Sequence, residues 1–272
     1  MKSHALHEIE IEGYAALQLE SADARVRAIV VPDLSMLTYS LNIDGNELLY
    51  QGNGLRDYAA TRRLRGVPLL HPWANRLQQH GYEIAGTDVH IDPADPNVCC
   101  DANGLPIHGL LLGERTWEIT GRHADADRAA VSAVFHFGAH PELLRAFPFP
   151  HDLTLAITLE SSRLDFTTSI HAPVGGTPVP IAFGFHPYLR LPSPRARWHI
   201  AMPAMDHLEL DDRMIPTGRT TPCSYPLAEL GHRTFDDGYA GIEPGSRFLV
   251  QDHQFTVSVE FVTGYSFAQV YA

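Results

Sequence analysis

The stretch "DLTLAITLESSRLDFTTSIHAP", Asp152 to Pro173, limits the fold of this chain more than any other feature. Leu153, Leu155, Ile157 and Leu159 alternate with smaller or polar residues, and Leu164, Phe166, Thr168 and Ile170 repeat the pattern after two serines. A period of two places every second side chain on one face of a β-strand. The pattern recurs. "SMLTYSLNIDGNELLYQG" reads as a hairpin turning at Asp44-Gly45, a dipeptide suited to a tight two-residue turn. "YEIAGTDVHID" reads as another around Gly86, with Tyr82, Ile84, Val89 and Ile91 as its apolar positions. "RFLVQDHQFTVSVEFVTGYSFAQVYA" offers three strands broken at Gln251-Asp252 and Thr263-Gly264. Helical periodicity is confined to "PELLRAF", Pro141 to Phe147, which predicts two turns. With 21 glycines and 20 prolines punctuating short segments, the expectation is an all-β protein: a large β-sandwich with few short helices. No repeat or linker divides it, so residues 1–272 are expected to form a single domain.

The formal net charge of −12 argues against nucleic acid and against an anionic membrane as partners. No apolar run approaches the roughly 20 residues that cross a bilayer, and "MKSHALHEIEIEGY" has no apolar core of a leader peptide. Cys99, Cys100 and Cys223 are odd in number and make no disulfide framework. A cytoplasmic, reduced protein is the expectation.

Sixteen histidines raise the question of a metal, yet no HExxH or HxH spacing occurs, and His199, His207, His232 and His253 are scattered; no metal is expected. Nucleotide-binding glycine motifs and the GxSxG nucleophile elbow are likewise missing from the sequence, so no cofactor and no covalent nucleophile are expected. "RRLRG", Arg62 to Gly66, reads as a solvated loop, with an anion or sugar-phosphate clamp as its functional alternative.

Three polar clusters remain, each set among turns and apolar residues. "HPWANRL" carries Asn75 and Arg76, "NGLPIHGL" carries His108, and "FGFHPYLRLP" carries His186. One histidine beside proline and glycine is more often structural than catalytic. An arginine, an asparagine and two histidines at strand ends would together suit a polyhydroxylated ligand, with Trp73, Phe183, Phe185 and Tyr188 available for the apolar faces of a sugar ring.

In this order the clusters resemble the aldose 1-epimerases, the galactose mutarotase-like family. "WANRL" is similar to the family's GRxANRI stretch, which implies Asn75 and Arg76 as sugar-binding residues. "NGLPIHGL" is similar to NxLHGG and implies His108 as the histidine at the ligand. "GFHPYLRL" resembles the segment of the general acid, His186 here. "FDDGYAG" resembles the family's Asp-x-x-aromatic stretch; its spacing to Tyr239 selects Asp236 over Asp237 as the acceptor of sugar hydroxyls. "FAQVYA" resembles the strand of a substrate-contacting glutamine, Gln269. The resemblance spans roughly residues 70 to 272 and implies the family's β-supersandwich, a small-molecule hexose as partner, no cofactor, and interconversion of anomers by acid–base ring opening.

Two departures stand out. The histidine stretch continues "HGLLLGERTWEI" instead of HGG; Trp117 resembles a feature of the phosphosugar-epimerase branch, which gives "RRLRG" some weight as a phosphate site. The family's general base is a glutamate beyond the glutamine strand, and no residue here matches it, because the sequence ends at Ala272. A domain lacking its C-terminal strands is therefore the expectation, with Asp236, Glu243 and Glu260 as in-chain alternatives for the base. Beside the mutarotase stand a non-catalytic carbohydrate-binding protein on the same scaffold and a hexose-6-phosphate 1-epimerase.

Overall fold

The computed structural model describes residues 3–84 and 86–272. Met1 and Lys2 of the opening stretch, and Ala85 of the second expected hairpin turn, lie outside the described residues. The chain is all-β and folds as two compact units, residues 1–190 and 191–272.

Two antiparallel meanders form the first unit. One runs through Ala5–Ile11, Tyr14–Glu20, Val26–Val31, Leu37–Ile43 and the short Asn46–Glu47; the other through Glu118–Ala124, Ala129–His136, Asp152–Glu160 and Arg163–His171. Alternation decides how each meander is used. Leu153, Leu155, Ile157 and Leu159 are buried and pair across the hairpin with Ile170, Thr168, Phe166 and Leu164, as the period-two reading requires. They share one core with Leu17, Leu19 and Val30 of the first meander, which makes the sandwich. The first meander is covered on its other face too: Ala16, Val31, Leu37 and Tyr39 pack with Leu55 and Tyr58 of the helix Leu55–Thr61. At roughly 25 cal/mol per Å² of apolar surface removed from water, such two-sided burial is the main stabilising term.

The Asp44-Gly45 turn forms as expected. Ile43 pairs with Asn46, and φ is +51° at Asp44 and +83° at Gly45, the doubly left-handed backbone of a tight hairpin. Gly81–Ile84 pairs with Thr87–His90 as the second hairpin. Helical structure differs from expectation in two ways. "PELLRAF" yields only Pro141–Leu144 after a 3₁₀ turn at Phe137–Ala139, while Leu55–Thr61 is helical although its own N-cap residue, Gly54, supplies no side-chain cap. In that helix the Leu55 N–H donates to Glu12 Oε2 at 2.6 Å, a partner 43 residues away that no local pattern reveals.

The second unit is one antiparallel sheet around the long strand His199–Leu210, which pairs with Pro216–Glu229, Ser246–Gln251 and Asp236–Ala240. Ser246–Gln251, Thr256–Phe261 and Phe267–Tyr271 are the three strands expected near the end of the sequence. Pro216–Glu229 has no counterpart among the expected strands, because Pro222 and Pro226 interrupt its pattern; among the described residues it pairs with a single strand, and an edge strand tolerates residues that lack an N–H donor. Met202, Met205, Leu230, Phe235, Tyr239 and Ile242 form the core of this unit.

Candidate active site

Within residues 1–190, three sequence-distant segments run side by side. Leu70 pairs with Gly184 and the His186 N–H donates to Pro68 O at 3.1 Å, so the His186 segment flanks residues 68–76 on one side. On the other side Arg76 bridges to Ile107, the His108 N–H donates to Asn75 O at 3.3 Å, and the Leu110 N–H donates to His71 O at 2.7 Å. These backbone bonds bring Asn75, Arg76, His108 and His186 into one region, and all four residues are half-buried.

The turn at His108-Gly109 is unusual, with φ at +63° and +71°. A Cβ on Gly109 would lie 2.2 Å from His71 O, so only glycine permits the turn to sit on that carbonyl. The result is an edge-to-face pair of imidazoles, His108 and His186, with ring centroids 5.7 Å apart. Tyr188 stacks on His186 at 4.8 Å and 10°. Burial, then His186, then Arg76 hold the His108 imidazole down at about 4, so it is neutral near pH 7. Arg76 donates through Nε to Asp101 Oδ2 at 2.7 Å and through Nη1 to Asn75 Oδ1 at 3.3 Å.

In residues 191–272, Asp236 and Gln269 lie on paired strands, and Gln269 Nε2 donates to Asp236 Oδ1 at 2.8 Å. The neighbouring carboxylate, Asp237, is engaged by His207 Nε2 at 3.0 Å. Successive strand residues point to opposite faces, so one aspartate joins the glutamine and the other does not. Glu260 accepts from Arg247 Nε at 3.0 Å, and Glu243 sits on an exposed turn.

Several sequence readings need correction. Trp73 is buried in the core and is not free to face a sugar, whereas Phe183 and Phe185 pack against that core half-buried, and Tyr188 stacks on His186. "RRLRG" is not simply solvated. Arg65 is 2% exposed and donates to Asp57 and to the carbonyls of Gly54 and Arg63, which leaves its fork engaged within the fold. Trp117 is buried against Phe135, with its indole N–H near Ser35 Oγ. Sequence reasoning misses Asp101, since nothing local marks an aspartate in "CCDANGL" as the partner of an arginine 25 residues earlier. The described residues hold no cluster of three or more His, Cys, Asp or Glu able to bind a metal, and no helix among them is long and apolar enough to cross a membrane.

A β-sandwich whose crossing segments bring two histidines, an asparagine and an arginine to one region has the features of the galactose mutarotase-like class. The aldose 1-epimerase family model matches residues 37–272, and the chain belongs to that family. Among solved structures it is similar to a galactose mutarotase-like protein from Clostridium acetobutylicum, at 18% identity and a TM-score of 0.82, covering 100% of this chain and 85% of that one. A protein from Synechocystis sp. PCC 6803 is similar at 22% identity and a TM-score of 0.71, over 98% of this chain and 84% of the other. The GalM/aldose epimerase homologue of C. elegans is similar at 16% identity and a TM-score of 0.67, over 99% and 82%. These likenesses establish the fold. No curated protein matches the chain by sequence.

Proposed function

We propose that the chain is a cofactor-free aldose 1-epimerase acting on a free hexose, with His186 as the general acid. The observation that carries this reading is the facing pair of His108 and His186 beside an arginine fixed at its Nε. Ring opening needs a proton delivered to the ring oxygen while the C1 hydroxyl loses one. An imidazole with an ordinary value near 6.5 can donate and recover a proton near neutral pH. His108, neutral by burial, accepts or donates a hydrogen bond to a hydroxyl without adding a second positive charge beside the acid. Arg76 and Asn75 hold hydroxyl oxygens in a fixed register. Asp236, beside Gln269, takes the role of hydroxyl acceptor.

Of the three carboxylates weighed for the base, Glu260 is tied to Arg247 and Glu243 lies on an exposed turn, which favours neither and leaves Asp236 as the in-chain carboxylate to take the C1 hydroxyl proton that ring closure returns. A free hexose is preferred over a phosphorylated one because Arg65, one of the three arginines of "RRLRG", is engaged internally and Trp117 is buried. Anomer exchange on freshly dissolved glucose and galactose, followed by polarimetry, tests the proposal. A rate above buffer that is lost in His186→Ala supports it. Hexose binding without any acceleration would instead identify a carbohydrate-binding protein on this scaffold.

A further inference from the structure

We infer that Asp101 is a positioning residue: one carboxylate ties Arg76 to the turn that delivers His108, and thereby fixes where the guanidinium meets the sugar. The inference rests on the sugar-site reading above.

The two oxygens of Asp101 have separate tasks. Oδ2 accepts from Arg76 Nε at 2.7 Å. Oδ1 accepts from the backbone N–H groups of Asn103 at 2.8 Å and Leu105 at 2.9 Å. The same turn is closed by the Asp101 N–H to Leu105 O at 2.9 Å and the Gly104 N–H to Asp101 O at 3.0 Å. It leads directly into Pro106–Ile107, which pairs with Cys99–Cys100 on the other side of the turn, and then into His108. Both partners of the ion pair are well covered, with side chains 15% exposed for Arg76 and 8% for Asp101. Burial pushes the Asp101 carboxyl up, but hydrogen bonds from Leu105, Arg76 and Asn103 outweigh it and hold the group below its ordinary value, hence charged.

An arginine gripped at Nε has its side-chain torsions set, while its terminal nitrogens stay directed away from the grip. Nη1 reaches Asn75 Oδ1, so the two residues read from sequence as sugar-binding are aligned by a third that touches neither ring nor reacting atom. The chemistry of Asp101 also supplies a substitution that separates its two tasks. In Asp101→Asn the amide oxygen can still accept from Asn103 and Leu105, but the amide NH₂ then opposes the Arg76 Nε–H, donor against donor. Asp101→Ala removes both tasks at once.

The experiment measures initial-rate anomer exchange, melting temperature and the Arg76 Nε–H resonance in wild type, Asp101→Asn and Asp101→Ala. In Asp101→Asn, KM is expected to rise about tenfold with kcat changed by less than about threefold, the signature of lost binding and not lost chemistry. The Arg76 Nε–H signal is expected to lose its protection, and the melting temperature to fall as a covered arginine loses its counter-charge. Asp101→Ala, which also frees the turn, is expected to lose more melting temperature. An unchanged KM in Asp101→Asn overturns the inference, whether or not the resonance moves. So does a fall in kcat that tracks a fall in melting temperature, which would mark a structural role alone. If the wild-type chain shows no anomer exchange, mutarotation is the reading that fails, and galactose affinity by calorimetry decides the inference. An affinity about tenfold weaker in Asp101→Asn supports it; equal affinities, or a wild type that binds no hexose, overturn it.

Discussion

The imidazoles of His108 and His186 meet edge to face with 5.7 Å between ring centroids, although 78 residues separate them in sequence. Burial holds His108 neutral near pH 7, and we assign the general acid to His186 from the resemblance of its segment to the family's. Removing His186 should lower kcat for anomer exchange by about 10²–10⁴-fold, the usual contribution of a positioned acid. His186→Ala compared with wild type by polarimetry checks this, and an unchanged rate in an active chain would show that His186 is not the acid.

The depressed histidines make acid stability predictable. Burial lowers His71 well below its ordinary value and lowers His151, and it holds His108 at about 4. All three are neutral in the fold near pH 7, whereas the unfolded chain takes up protons near 6.5. Their stabilising effect is therefore complete above about pH 6.5 and is lost as the pH falls towards the folded values, near 4 for His108. Each group contributes up to about 1.4 kcal/mol per pH unit in that window. Urea unfolding at pH 7, 6 and 5 should show stability falling; a flat profile would contradict these protonation states.

Gly109→Ala should impair both stability and rate. The new Cβ would be driven into His71 O at 2.2 Å from a backbone at φ +71°, so the turn carrying His108 must move. A cost above about 1 kcal/mol is expected from the strained backbone alone. Thermal melting together with kcat measures it, and a variant with wild-type values for both would mean the turn is more adaptable than its packing implies.

Asp236 and Asp237 should behave differently under the same substitution. Asp236→Asn exchanges an acceptor beside Gln269 for an amide that cannot take a proton, and should raise KM for the hexose several-fold and lower kcat as well. Asp237→Asn alters the contact with His207 and should leave KM close to wild type. Equal KM effects from the two would remove the basis for choosing Asp236.

Arg65 gives a test of the phosphate alternative. Arg65→Met should lower the melting temperature, because it strips donors from Asp57 and from the carbonyls of Gln51, Gly54 and Arg63. It should not change the ratio of activities on hexose and hexose 6-phosphate. A selective loss on the phosphorylated sugar would restore Arg65 as an anion contact.

Strands are legible in the order of residues alone, and so are the polar clusters that the fold brings together. Alternation in Asp152–Glu160 and Arg163–His171 has a local cause, side chains projecting to opposite faces, and its reading matches the observed register. The Asp44-Gly45 turn is local as well, since two adjacent residues carry the positive φ. Asn75, Arg76, His108 and His186, read from their clusters through the resemblance to the aldose 1-epimerases, are brought into one region by backbone bonds. The remainder belongs to the tertiary structure, because pairing over long sequence distance leaves no periodic mark. The helix Leu55–Thr61 depends on Glu12, and the fork of Arg65 is occupied by groups from Gln51 to Arg63. Asp101 looks like any turn aspartate until the strand Cys99–Cys100 places it against Arg76. Trp73 looks suited to a sugar face, yet burying its apolar ring in the sandwich core is the stronger demand.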